Sequence, residues 1–313
     1  MLRSIIGATA THARLIGGRC VCDEGAGTLT FDWQSTLEFQ LQIDATNDTG
    51  RCTVSLDADG GGNDFNLVVA GDLQKSFRMK KGRRRHALEI MVSPVHQAPV
   101  KLHLVKRTEA LAKELLPFPR SVSKVVLYGA SSSGCQFVPV GLPGARRIEC
   151  VGDSDVAAFG IDGAATEMSG LFSALMQLRT AAQNVDNSWA HILARMLEAE
   201  ASVVAVSGIG VYQNSPGLDP GPTLETFYKG CRAQQSRTSG GAGGRVETGA
   251  DTNGEVPNWL QTWEPQLVVV QVGSNDLYGG GPPPESEAFV GAYVQLLATI
   301  RKMRPKAAII CET

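Results

Sequence analysis

"IECVGDSDVAAFG", residues 148–160, decides the fold. A short apolar run, centred on Ile148, Cys150 and Val151, stops at Gly152-Asp153-Ser154, and small residues follow. Such a run is what a buried strand requires, and its abrupt stop at Gly-Asp-Ser reads as a strand-to-loop turn. Ser154 is then either a nucleophile at the tip of a strand or a serine in a turn, and the surrounding chain has to decide.

Working towards the C-terminus, strands alternate with helices. "SWAHILARMLEAE" predicts an amphipathic helix with Trp189, Ile192, Leu193, Met196 and Leu197 on one face. "SVVAVSGIG" predicts a strand, and "LVVVQVGSND" another, whose nearly unbroken apolar run suits a parallel strand covered on both sides. "EAFVGAYVQLLATIRKMR" predicts a helix with Phe289, Tyr293, Leu296, Leu297 and Ile300 inward, and "AAIICE" a last strand. Strand–helix alternation predicts an α/β fold with a doubly wound parallel sheet. Two segments break the rhythm: residues 163–186, and residues 231–256 with the low-complexity "SGGAGGRVETGADTNGE". Both read as surface insertions without a core role.

Working towards the N-terminus, the pattern changes at "LPGARR", a linker ending near residue 146. Before it the chain reads as β. Leu37, Phe39, Leu41 and Ile43 alternate with Glu38, Gln40 and Gln42, a period of two, and "CTVSLD", "FNLVVAG", "HALEIMV" and "VKLHLVKR" are further short strands. Closely spaced short strands predict an antiparallel sandwich. The expected domains are an all-β sandwich at 1–143 and a parallel α/β unit at 147–313. "KKGRRRH", Lys80 to His86, reads as a solvated hairpin turn; the alternative is a polyanion patch.

Composition bounds the function classes. Of the 313 residues 43% are hydrophobic and 19% charged, so core material is ample, and a net charge of −2 supplies no global field towards nucleic acid or membrane. Neither is an expected partner. The N-terminal "MLRSIIGATATHARLIGG" has no continuous apolar stretch of secretory type, so the expectation is a chain that stays in the cell or lacks its true start. Localisation is left open. Seven scattered cysteines suggest no disulfide framework, and Cys20-Val21-Cys22 has no partners at metal-ligand spacing. No cofactor and no metal are expected.

Three strand ends carry chemistry: Gly152-Asp153-Ser154, Ser207-Gly208-Ile209-Gly210 and Gly273-Ser274-Asn275-Asp276. In a parallel sheet they converge on one edge, where ligands bind. A hydroxyl, a glycine amide and a side-chain amide are the set acyl transfer needs: a nucleophile and preorganised donors for the oxyanion. Each motif alone is weak. Gly-Asp-Ser is a common turn, and Asn275 or Asp276 could be an Asx cap. "GIGVYQNSPG" lacks the third glycine of a dinucleotide fingerprint, and the Gly-x-Ser-x-Gly elbow is absent.

With these residues in hand, the chain resembles the SGNH (GDSL-like) hydrolases, and among them the two-domain carbohydrate esterase family 2, acetyl esterases of plant polysaccharides. "LHLVKRTEA" is similar to the last strand of that family's jelly-roll domain. "RRIECVGDS", "SWAHILARMLEAEASVVAVSGIGVYQN" and "WEPQLVVVQVGSND", with the helix and strand behind it, are similar to its three hydrolase blocks. The resemblance implies an SGNH-type sheet preceded by a jelly-roll domain, and an acetylated polysaccharide or oligosaccharide as substrate. It implies Ser154 as nucleophile, with its own N–H, the amide of Gly208 (or Gly210) and the side chain of Asn275 as oxyanion hole. Asp153 and Asp276 would order their turns. Trp259, Trp263, Tyr212 and Tyr278 are candidates to stack on sugar rings, Trp263 being equally a core anchor beside Pro265.

The sequence departs from the family in two places. Asp155 follows the serine where an apolar residue is usual, and a carboxylate facing the site would disfavour the oxyanion. Family members carry the catalytic histidine well beyond the third block, whereas this chain ends at Thr313, and its histidines are His12, His86, His96, His103 and His191. Four of these lie in the β part; His191 lies on a helix and reads as surface or interface. The expectation is a C-terminally incomplete hydrolase domain whose base is not in this chain. Losing the histidine of a serine triad costs on the order of a million-fold in kcat, so the chain as written would be nearly inert. The alternative is a catalytically inactive glycan-binding homologue.

Overall fold

The computed structural model describes residues 12–17, 20–23, 28–92, 98–110, 113–114, 120–140, 144, 146–163, 180–216, 221–229, 263–278 and 281–312. Among them β1 (Ala13–Ile16), β2 (Cys20–Asp23), β3 (Thr28–Phe31), β4 (Thr36–Ile43), β5 (Arg51–Asp59), β6 (Asp64–Val69), β7 (Asp72–Arg78), β8 (Arg84–Met91) and β9 (Val100–Lys106) are followed by the short pair β10 (Lys113–Glu114) and β11 (Arg120–Ser121), then β12 (Val125–Ser133) and β13 (Cys135–Val138). Apart from the separate β10-β11 pair, they form two antiparallel sheets, one ordered β1-β4-β9-β6-β7 with β13 also on β4, the other β2-β3-β12-β5-β8. Alternate residues of both sheets (Phe39 and Leu41, Leu102 and Leu104, Val54 and Leu56, Leu88 and Ile90) meet in one core. This is the sandwich that the period-two pattern predicts.

The basic run is not a hairpin. It carries the chain from β7 in one sheet to β8 in the other, and Arg83 pairs with Asp57 at 2.6 Å. The outward face of β4 is also not solvated as alternation alone suggests. Glu38 is 1% exposed because the second unit covers this face. Arg14 reaches Glu38 at 2.6 Å and also pairs with Glu200 of that unit, and His103 lies 3.5 Å away. Burial alone would raise the Glu38 carboxyl; His103 and Arg14 outweigh it and hold it at about 2. A carboxylate depressed below its unfolded value stabilises the fold above the unfolded pKa and loses that contribution as pH falls. Stability is therefore expected to drop between pH of about 4.5 and about 2. In Glu38→Gln that acid-side loss should be smaller, which thermal melts across this range will read.

The second unit is a parallel sheet of β14 (Arg147–Gly152), β15 (Glu200–Ala205), β16 (Leu267–Gln271) and β17 (Ala308–Glu312), ordered β15-β14-β16-β17. Among the described residues its α-helices are α1 (Trp189–Met196), α2 (Leu224–Lys229), α3 (Ser274–Tyr278) and α4 (Ser286–Met303). Val151, Val204, Val268 and Val270 pack on Leu224 and Tyr228 of α2 and Leu296 and Ile300 of α4. The alternate residues Ile148, Cys150, Val203, Ala205 and Val269 pack on Val185, Ala190 and Val105. Both faces are thus covered, which is why these strands read as apolar runs. The doubly wound expectation holds.

Two expectations need correction. On α1, Trp189 and Leu193 pack on the core as expected, beside the buried Ala190, His191 and Ala194, whereas Ile192, Met196 and Leu197 are 44%, 77% and 40% exposed. Small residues four apart let the helix sit close to the sheet, and volume rather than hydropathy decides which face goes in. The 163–186 insertion is also more than a surface loop. Residues 164–179 lie outside the described residues, but Thr180, Ala182, Gln183, Asn184 and Val185 are buried between the two units. Asn184 and Asp186 contact Asn66 of β6, and Arg107 binds the carbonyls of Ala181 and Gln183. This polar, interfacial burial has no apolar periodicity to announce it. The 231–256 insertion and Trp259 lie outside the described residues.

Candidate active site

β14 is central in the sheet, with β15 on one side and β16 on the other. The chain winds outward first one way and then the other, so the carboxyl end of β14 is the topological switch point, where open α/β sheets bind ligands. Gly152 closes that strand. A Cβ there would lie 2.1 Å from the carbonyl oxygen of Gln271 and 2.4 Å from Val156, so only glycine lets the turn begin this close to β16. Ser154 follows, half-buried. Its turn is held by Ala157 N–H donating to the Asp153 carbonyl at 2.9 Å and Phe159 N–H donating to the Ser154 carbonyl at 3.0 Å. Ala158 has φ of +56°, a left-handed conformation that costs a non-glycine residue about 1 kcal/mol or more.

Asn275 ties the three strand ends together. Its side-chain amide donates to the Ile209 carbonyl at 2.9 Å and to Asp153 Oδ2 at 3.2 Å. It therefore touches both the residue before Ser154 and the residue after Gly208. The Ser274 hydroxyl donates to the same Asp153 oxygen at 2.7 Å. Burial raises the Asp153 carboxyl above the usual range, and the Ser274 hydroxyl works against it.

Asp276 is 1% exposed and accepts from three successive backbone N–H groups, those of Val211, Tyr212 and Gln213, at 2.7–2.9 Å. This nest fixes the loop after β15. Gly210 belongs to that scaffold: its N–H already donates to Asn214 at 3.0 Å, and a Cβ would meet the Gln213 carbonyl at 1.9 Å. Gly208 is different. It has φ of +83°, and neither its N–H nor that of Ser154 has an acceptor among the described residues. Of the two glycines, Gly208 has the N–H to offer.

The flanking residues sort themselves by position. Asp155 is exposed, where water screens its charge, and its N–H donates to Asp153 at 3.3 Å. Tyr212 is exposed on the loop after β15, and Tyr278 is exposed at the C-terminal end of α3. Trp263 is buried at the opposite end of β16, where it donates to Glu200 and its carbonyl accepts from Arg304. It is a core anchor. None of the described histidines hydrogen-bonds Ser154. His86 lies in β8, and His103 faces Glu38. His191 is 9% exposed and lies 3.7 Å from Asp186 at the interface with the sandwich. His96 lies outside the described residues.

Sequence reasoning missed Gln34 and Glu109. Gln34 donates to the carbonyls of Arg107 and Ala157 at 2.7 and 2.8 Å, and Glu109 accepts from Ser207 N–H at 2.6 Å. Both come from the sandwich side and reach the loops that carry Ser154 and Gly208. A lone Gln and a lone Glu carry no signal in sequence.

No family model matches the chain. It is 29% identical to the cellulase/esterase CelE of Acetivibrio thermocellus over 252 residues, covering 80% of this chain and 26% of that protein. It is 21% identical to the acetylxylan esterase/glucomannan deacetylase of Cellvibrio japonicus over 306 residues, covering 97% of this chain and 72% of the other. The chain thus spans about a quarter of CelE. Its fold matches a family two carbohydrate esterase from Clostridium thermocellum, solved with cellohexaose, at a TM-score of 0.67 and 24% identity over 95% of this chain and 77% of that one. The proteins it is similar to are carbohydrate esterases of family 2, as the three sequence blocks suggest.

Proposed function

We propose that this protein is a serine ester hydrolase that removes acetyl groups from carbohydrate. The observation that carries the reading is the convergence at one sheet edge of Ser154, the Gly208 N–H and Asn275, with the Ser154 and Gly208 amides lacking acceptors among the described residues. Ser154 Oγ attacks the ester carbonyl as its proton passes to a base. The oxyanion is held by the N–H groups of Ser154 and Gly208 and by Asn275, which gives up a present hydrogen bond to do so. The sugar hydroxyl then leaves with a proton, and water releases acetate from the acyl-enzyme.

In this reading none of the five histidines is the base. Tyr212, on the loop after Gly208 and Gly210, and Tyr278, at the end of the helix that opens with Ser274 and Asn275, offer exposed rings on which sugars can stack, and the activities of the relatives supply the substrate class. The sandwich is read as the jelly-roll domain, 1–143, and the hydrolase unit as 147–313; its two antiparallel sheets over one core support the first assignment.

The test uses acetate release from acetylated xylan and p-nitrophenyl acetate, with imidazole added as an external base. Removing one oxyanion donor costs about 10²–10³ in kcat, and Asn275→Ala is expected to show that loss with little change in KM. Wild-type turnover in a folded Asn275→Ala variant would remove Asn275 from the oxyanion site.

A further inference from the structure

We propose that Glu109 is a positioning residue for the oxyanion loop, so that the sandwich completes the active site rather than merely flanking it. The proposal rests on reading Gly208 as an oxyanion donor. Glu109 is 4% exposed and lies three residues beyond the end of β9. Its Oε2 accepts from the N–H of Ser207, the residue before Gly208, at 2.6 Å. Its Oε1 accepts from Gln183 Nε2 at 2.8 Å, and its own N–H donates to Gln183 Oε1 at 3.1 Å. Gln183 is fixed in turn by Arg107, which donates to its carbonyl and to Asp162. One carboxylate therefore joins a rigid strand end, the 180–187 segment and the loop carrying Gly208.

The charged groups around it are few. Lys106 of β9 faces Glu109, and Asp32 and Asp64 face Lys106. The Arg107 guanidinium turns away to Asp162. From the loop side Glu109 meets Ser207, and from the 180–187 segment it meets Gln183. Burial pushes the Glu109 carboxyl up to about 7, against the pull of Ser207, Gln183 and Lys106. The ionised carboxylate is the stronger acceptor, so the grip on Ser207 tightens as pH rises through this value. The folding contribution has the opposite sign. A carboxyl raised above its unfolded value costs stability progressively as pH rises from about 4.5 to about 7.

The experiment is amide hydrogen exchange of the peptide holding Ser207 and Gly208, each rate normalised to its intrinsic value at that pH. Glu109→Ala is expected to raise exchange there about tenfold, the loss of one hydrogen bond, with the β14 peptide unchanged. Glu109→Gln keeps a carbonyl acceptor and should restore most of the protection, without the wild-type rise across pH of about 7. In imidazole-supported acetate release, kcat of Glu109→Ala should fall about tenfold with KM unchanged, because a displaced donor meets the oxyanion less well. Wild-type exchange at Ser207 and Gly208 in the alanine variant overturns the proposal, as does a loosened loop with undiminished kcat. Absence of imidazole-supported acetate release by the wild-type protein would sink the acyl-transfer reading; whether Glu109 holds the Ser207 loop is read separately, from the exchange data.

Discussion

Ser154→Ala is expected to reduce imidazole-dependent acetate release to the rate of an inert protein control. In the best-studied serine triad, loss of the nucleophile costs on the order of a million-fold in kcat, and loss of the base costs about as much. The two losses do not add, because each group acts only through the other. On the proposal that no histidine of this sequence serves Ser154, Ser154→Ala measured without imidazole is expected to differ little from the wild-type chain. Imidazole restores a proton acceptor at bulk concentration, far below the effective concentration of a built-in one. The wild-type rate should rise with imidazole and the Ser154→Ala rate should not rise beyond the free imidazole reaction. Equal rates would mean that the hydroxyl takes no part.

The second large effect is on stability. Arg304 and Glu149 are 2% and 0% exposed and pair at 2.8 Å, with the Tyr228 hydroxyl donating to Glu149 and the Arg304 guanidinium donating to the Trp263 carbonyl. Glu149 sits in the central strand, so the pair binds β14 to α2 and to the turn after α4. Arg304→Met removes this counter-charge from the buried Glu149 carboxylate, and losing one partner of a buried pair costs about 3–5 kcal/mol. For a unit of this size that lowers Tm by roughly 10 °C. The double variant Glu149→Met, Arg304→Met removes both charges and should recover most of the loss. Circular dichroism melts of the three proteins decide this, and a single variant that melts with the wild type would show the pair to be idle.

The same pair marks what sequence could and could not reveal. The parallel strands were legible because burial on both faces writes a run of Val and Ile, and the sandwich because burial on one face writes a period of two. Glu149 lies inside such a run, and its partner is 155 positions away; nothing local pairs them. Ser154, Gly208 and Asn275 were legible as three motifs at consecutive strand ends, since sheet topology alone brings such ends together. That the Gly210 N–H is already engaged was not, because it depends on where the Asn214 side chain lies. Nor were Gln34, Gln183 and Glu109. Interfacial polar groups answer to partners in another segment, and no periodicity records them. On α1, hydropathy points rightly to Trp189 and Leu193 but also to Ile192 and Met196, whereas close packing selects Ala190 and Ala194.

In the proposed reaction the acetyl group passes through Ser154 Oγ. The direct measurement is to mix the protein with p-nitrophenyl acetate and imidazole, quench in acid during turnover, and locate acetyl groups by peptide mass spectrometry. Acetylation is expected at Ser154 in the wild type, lost in Ser154→Ala and weakened in Asn275→Ala. Acetate released at the wild-type rate with Ser154 unmodified, or released equally by Ser154→Ala, would contradict it.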